Sequence, residues 1–188
     1  MADDNPTLIL TTLDRHLDHP VSLVLYGRAA LWLAYGSAVS RELGTTEDVD
    51  CIIPLSQVQS LTDDIQFWDA MAALREEIAP RGLYMSHLFP EDDIFLRRQW
   101  RDHLVELPRP ALRNLRLFRP AGIDLVLTKM MRGADDQDMA DARLIIERER
   151  ITKAQLNEAF TQMRPIQIVE LQDAFNRAKP LVVGMAFD

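Results

Sequence analysis

Val21-Ser22-Leu23-Val24-Leu25-Tyr26-Gly27-Arg28-Ala29-Ala30 is a short apolar run that meets a glycine and passes directly into an alanine- and leucine-rich stretch. The run has the length and composition of a buried strand, and the stretch from Ala29 to Val39 predicts a helix with Trp32 among its apolar side chains. Glycine at such a joint lets the backbone approach a ligand closely, and the amides that open a helix suit a phosphate. Taken alone, the joint is equally a tight packing turn.

The next segment, Arg41-Glu42-Leu43-Gly44-Thr45-Thr46-Glu47-Asp48-Val49-Asp50, leads into a second apolar strand, Val49 to Leu55, stopped near Pro54. Residues i and i+2 of a strand share a face, so Asp48 and Asp50 project together while Val49 turns to the core. Two like charges at that spacing repel, and a divalent cation relieves the conflict. Mg²⁺ takes one or two carboxylates and completes its shell with phosphate oxygens. The plainer alternative is a solvated strand edge or a helix cap.

Further along, helices are expected at Asn5-Pro6 through Leu17 and from Asp63-Asp64 to about Ala79, with a third strand from Leu83 to Phe89. Asp93 to Trp100 fits strand or short helix. His103 to Leu107 and Leu115 to Phe118 read as short strands. Beyond Pro120 the pattern is helical: Ile123 to Arg132, Gln137 to Arg150, a helix opened by the capping box Thr152-Lys153-Ala154-Gln155, and Ile166 to Lys179. Val182 to Asp188 is open between strand, docked tail and disorder. The expected architecture is α/β (α+β): a mixed sheet flanked by helices over residues 1–119, with a helical C-terminal region over 120–188 packed on it.

The chain has 188 residues, one cysteine and a net charge of −8. A lone Cys51 excludes an internal disulfide and a multi-cysteine zinc site, and alternation points it to the core. No segment has the apolar length of a membrane span, and the acidic N-terminus is unlike a signal peptide, so a soluble cytoplasmic protein is expected. Net acidity argues against coating nucleic acid through the overall field. Yet Arg97 to Arg132 holds nine basic residues and three acidic ones, a local +6 that leaves −14 elsewhere. Such a strip either meets a phosphate-rich ligand or pairs with the acidic surplus.

Together, Gly27, the helix after it, Arg41, Thr46, Asp48 and Asp50 resemble the nucleotidyltransferase superfamily. Its pattern is a strand, a glycine turn opening a helix, then Arg/Thr-x-Asp-x-Asp entering the next strand. The resemblance implies that the Gly27 turn, with Arg28, Arg41 and Thr46, binds a nucleoside triphosphate, and that Asp48 and Asp50 hold Mg²⁺ or Mn²⁺. A further stretch, from Asp124 through Lys129 and Arg132 to Asp138 and Asp141, is similar to the AbiEii-like toxin branch and its uncharacterised relatives. By that resemblance Lys129 contacts nucleotide phosphate and Asp138 completes the acidic site. A salt-bridged helical hairpin explains the same residues. The implied activity is transfer of a nucleoside monophosphate to a hydroxyl of RNA (tRNA among the candidates), a protein or a small molecule, with an antitoxin-like protein as a further candidate partner.

The chain departs from the pattern twice. Arg28 stands where serine or glycine is usual, so it either crowds the phosphate turn or pairs with phosphate or Asp48. The third strand carries no acid, offering only Ser86 and His87. Either Asp138 supplies the third carboxylate, or the chain is a catalytically degenerate member that binds a nucleotide or a partner. A structural role is the default for His87, Trp32, Trp68 and Trp100. His16 and His103 have no metal-ligand spacing to partners. No phosphate loop of the G-x-x-x-x-G-K-[ST] type and no G-x-S-x-G elbow is present.

Overall fold

The computed structural model describes residues 4–36, 41–107, 111–165 and 167–188, with the side chains of Arg41, Ser86 and His87 outside that description. The roles expected of Arg41, Ser86 and His87, the helix end at Val39, Arg109 of the basic strip and the helix start at Ile166 therefore fall outside it. The chain divides into two compact units, residues 1–91 with 105–119, and residues 92–104 with 120–188.

The first unit is a mixed α/β layer. Five strands, β1 (Val21–Tyr26), β2 (Asp48–Ile53), β3 (Tyr84–Pro90), β4 (Val105–Glu106) and β5 (Leu115–Arg119), form one sheet in the order β3-β2-β1-β5-β4. β1 runs antiparallel to β2 and parallel to β5, β2 runs parallel to β3, and β4 runs antiparallel to β5. Val21, Leu23 and Leu25 of β1 and Val49 and Cys51 of β2 turn to one face. There they join Ile9, Leu10, Leu13 and Leu17 of α1 (Asn5–His16) and its C-terminal flank, and Phe67, Ala70, Leu74 and Ile78 of α4 (Ile65–Ile78), in a continuous core. The period of two in the strands and of three to four in the helices is what lets these residues meet.

Helix starts follow side-chain chemistry. Asp4 caps α1 by accepting from the Thr7 amide at 2.8 Å, and Asp64 caps α4 by accepting from the Phe67 amide at 2.9 Å. Asp14, 7% exposed on α1, accepts from the backbone amides of Arg113, Asn114 and Leu115 at 2.8–3.1 Å. That carboxylate fixes the entry to β5, and Asn114 in turn donates to the Leu17 carbonyl.

Several elements differ from the sequence expectation. α2 begins at Gly27 and ends at Tyr35, where Gly36 turns the chain with φ +69°. Leu55 belongs to α3 (Leu55–Thr62) rather than to the strand before it, because Pro54 closes β2 and serves as the cap of that helix. Arg41–Thr45 is a 3₁₀ helix where a polar connection was expected.

The second unit holds α5 (Gly122–Thr128), α6 (Asp136–Glu149), α7 (Lys153–Gln162) and α8 (Val169–Met185). α5 stops at Thr128 instead of Arg132, because the chain must turn through Gly133 (φ +73°) to reach the Asp135 cap of α6. α8 continues through Pro180 to Met185, past the expected end at Lys179. Ala174, Ala178 and Val182, buried one turn apart, show the packed face that outweighs a mid-helix proline. The chain end docks: the Phe187 amide donates to the Ile151 carbonyl at 3.1 Å and its carbonyl accepts from the Lys153 amide at 2.8 Å. The capping box of α7 forms as expected. Among the described residues, no helix is long and apolar enough to cross a membrane.

Replacing Asp14 by alanine strands amide donors at the start of β5. Charge-assisted bonds of this kind contribute about 1.5–3 kcal/mol each and do not add fully. Urea denaturation of Asp14→Ala is expected to show a loss of about 3 kcal/mol, with Asp14→Asn recovering part of it.

Candidate active site

The site is built where β1 hands over to α2. Tyr26 pairs with Asp50 across β1 and β2, and Val24 pairs with Ile52. Counting by two along β2 from Ile52 puts Asp50 and Asp48 on the sheet face opposite the helix-packed core. In the β2–β3 pairing, Asp48 stands level with Tyr84 and Ile52 with Phe89. One face of the sheet thus carries the row Tyr26, Asp50, Asp48, Tyr84.

Gly27 has φ +69°, a conformation that any side chain makes costly. A Cβ placed there would lie 3.0 Å from Oδ2 of Asp50. The absent side chain is therefore what gives the Asp50 carboxylate its place beside the opening of α2. That opening has no acidic residue in its first turn and no side-chain cap from Tyr26. The positive end of the helix dipole and two carboxylates share one small region. Arg28, in the same first turn, is half-buried and already engaged in an interaction of its own.

Asp48 is oriented from the chain leading into β2. Thr46 Oγ1 donates to Asp48 Oδ1 at 2.8 Å. The 3₁₀ helix before Thr46 is pinned by Trp32 of α2, whose ring lies so close over Gly44 that an added Cβ would meet it at 2.9 Å. This contact joins α2 to the segment that delivers Asp48. It was hidden in the sequence because the two residues are twelve apart in different elements.

The field of the pair reaches its neighbours. Burial, then the charge of Asp50, and more weakly Cys51 and Asp48, push the Tyr26 phenol above its ordinary value. Asp48 is the largest cause raising the Tyr84 phenol, followed by desolvation, Asp50 and Glu47. Burial and Asp50 raise the Cys51 thiol, 1% exposed, which keeps it an inert core group. A β-bulge interrupts the β2–β3 register between Val49 and Cys51, placing the backbone of Ser86 and His87 opposite Asp50. Bulges commonly re-aim a strand next to a site. No sequence signal marks this one.

Lys129, Arg132, Asp138 and Asp141 come together in the second unit. Lys129 Nζ donates to Asp138 Oδ1 at 3.1 Å and to Asp141 Oδ2 at 2.7 Å, and Arg132 Nε donates to Asp138 Oδ2 at 2.5 Å. The three side chains Lys129, Asp138 and Asp141 are 9%, 7% and 7% exposed. Lys129 follows the last residue of α5, so its side chain crosses to α6 and closes the α5–α6 hairpin. Asp124, fully buried, accepts two bonds from the Arg97 guanidinium, at 3.0 and 2.7 Å, and one from the Arg97 amide at 3.1 Å.

Oxygen donors from two carboxylates suit Mg²⁺ or Mn²⁺. Among the described residues, no group of three or more histidine, cysteine or acidic side chains could hold a metal ion by itself. A cation at Asp48 and Asp50 therefore fits only if water and substrate phosphate complete its shell.

Three outcomes follow from this geometry. Gly27→Ala forces an L residue into left-handed backbone and onto Asp50, and urea denaturation is expected to show a loss of about 1–2 kcal/mol. Lys129→Met removes the ammonium that bridges the buried carboxylates of Asp138 and Asp141 and leaves Asp138 with Arg132, with an expected loss of about 3–5 kcal/mol. The carboxyl of Asp138 is desolvated, which opposes ionisation. The Arg132 hydrogen bond and the Lys129 charge outweigh that and hold it below the usual carboxylate range. Its stabilisation is fully present above the unfolded value of about 3.9 and disappears as pH falls through the lower folded value. Acid denaturation is expected to lose part of its steepness below about pH 4 in Asp138→Asn.

No curated protein and no solved structure matches the chain. A family described as a nucleotidyltransferase of unknown function (DUF6036) matches residues 8–174, a span that takes in Gly27, Asp48, Asp50, Lys129 and Asp138. With most of its length matched and the glycine turn beside a carboxylate pair, the chain belongs to this nucleotidyltransferase family.

Proposed function

We propose that the protein transfers a nucleoside monophosphate from a nucleoside triphosphate to a hydroxyl, with the phosphates at the start of α2 and Asp48 and Asp50 as the ligands of a divalent cation. The observation that carries this reading is the Asp50 carboxylate seated against the side-chain-free Gly27, on the same strand face as Asp48. Mg²⁺ or Mn²⁺, when bound, neutralises charge on the transferring phosphoryl group.

The chain's own groups then do the positioning. The backbone at Gly27 admits phosphate oxygens at close range, and the dipole of α2 favours their charge. Arg28, next to that turn, and Arg41, at the start of the segment that leads to Asp48, are proposed phosphate contacts. Thr46 donates to one oxygen of Asp48 and so helps orient that carboxylate. The acceptor oxygen forms a bond to the α-phosphorus, the bond from that phosphorus to the bridging oxygen breaks, and pyrophosphate leaves. The acceptor's proton passes to a site carboxylate or to water. Such chemistry depends on placement and charge, so a small set of residues suffices. In this reading Lys129 and Asp138 serve through their ion-pair cluster, which fixes the α5–α6 hairpin; direct phosphate contact by Lys129 would require it to exchange a carboxylate for the ligand.

The acceptor is a finer proposal: an RNA 3′ end, tRNA included, a protein hydroxyl or a small molecule. Membership of the AbiEii-like toxin branch, with an antitoxin-like partner, stands at the same level. A second reading, a degenerate member that binds nucleotide without transfer, is favoured by Arg28 in the first turn of α2 and by the absence of an acid in β3.

Calorimetry with each nucleoside triphosphate, with and without Mg²⁺, is expected to show metal-dependent binding that Asp48→Asn and Asp50→Asn each abolish. Incubation with radiolabelled nucleotide and total cellular RNA or protein is expected to give acid-precipitable label. Either substitution is expected to reduce it about 100-fold or more. Binding that ignores the metal and both substitutions, with no label transferred, would favour the degenerate reading.

A further inference from the structure

Tyr84 opens β3, an edge strand of the sheet, and the residue is 47% exposed. It stands level with Asp48 in the parallel pairing of β2 and β3, so both side chains point to the same face. The electrostatic influence of Asp48, and behind it Asp50, reaches the Tyr84 phenol. Tyr26, on the other side of the pair, is committed elsewhere. Its ring packs edge-on against Phe89 at 5.9 Å and 84°, and most of it is buried. Of the two aromatic residues that flank the carboxylates, Tyr84 is the one with an open ring surface.

The direction of the site follows from the strand order. Phosphates held at the opening of α2 lie at the end of β1, the carboxylates lie one strand over on β2, and β3 lies one strand beyond. Strands are spaced about 4.8 Å apart, so the path from β1 to β3 is roughly 10 Å. A nucleotide whose phosphate tail sits on α2 and whose α-phosphate sits at the carboxylates extends its nucleoside end toward β3.

We infer that Tyr84 is the stacking platform for the base of the bound nucleoside triphosphate. The inference rests on the metal–nucleotide reading of Asp48 and Asp50 and adds to it a group that senses the nucleoside rather than the phosphates. Stacking on an aromatic ring is tolerant of base identity, because every base has a π face. Tyr84 therefore favours nucleotides over bare polyphosphate and discriminates weakly among bases.

The test compares two probes on the full chain in the presence of Mg²⁺: nucleoside triphosphates and inorganic tripolyphosphate, which has the phosphates and no base. Calorimetry is run on the wild type, Tyr84→Ala, Tyr84→Leu and Tyr84→Phe, with circular dichroism to verify folding. Tyr84→Ala and Tyr84→Leu are expected to weaken nucleoside triphosphate binding about 5- to 150-fold while leaving tripolyphosphate binding within about twofold of the wild type. Tyr84→Phe, which keeps the ring, is expected to bind both probes as the wild type does. Equal effects on the two probes, or no effect on either, overturn the assignment of Tyr84 and leave the carboxylate site intact. A wild type that binds neither probe overturns the metal–nucleotide reading, and the role of Tyr84 with it.

Discussion

Two carboxylates held two residues apart on one strand face are an electrostatic conflict that the fold must accommodate. The surrounding structure fixes where the two carboxylates stand. Val49 and Cys51 bury themselves on the opposite face and thereby fix which way Asp48 and Asp50 point. Gly27 keeps its Cβ position empty and its φ positive so that Asp50 can sit beside the opening of a helix. Thr46 ties down one oxygen of Asp48. The positive end of α2 offsets part of the repulsion, and under the proposed function a divalent cation with phosphate oxygens would offset more of it.

Much of this was legible in the sequence because it depends on short-range periodicity. A strand has a period of two, so Asp48 and Asp50 on one face and Cys51 in the core follow from spacing alone. A glycine between an apolar run and a helical run marks the turn. The capping box at Thr152 and the cap at Asp64 are likewise local patterns, and both form. The mixed sheet flanked by helices followed from the same periodicities.

What stayed hidden depends on partners distant in sequence. The bulge that sets Ser86 and His87 opposite Asp50 is a property of two strands in register, and neither strand announces it. Tyr84 reads as one more aromatic in a strand until its level with Asp48 is known. Trp32 over Gly44 and Asp14 under the amides of residues 113–115 are contacts across elements. The stop of α5 at Thr128 and the persistence of α8 through Pro180 show local propensity yielding to a hairpin and to a packed face. The cluster of Lys129, Arg132, Asp138 and Asp141 was visible as a set of charges, but only the structure gives its pairing.

The most direct test of the account is a crystal grown with Mn²⁺ and a non-hydrolysable nucleoside triphosphate, with data collected for anomalous scattering. The account predicts a Mn²⁺ peak about 2.0–2.2 Å from carboxylate oxygens of both Asp48 and Asp50, bridged to phosphate lying over the Gly27 turn. A peak elsewhere, or a nucleotide bound with no metal at that pair, would contradict it.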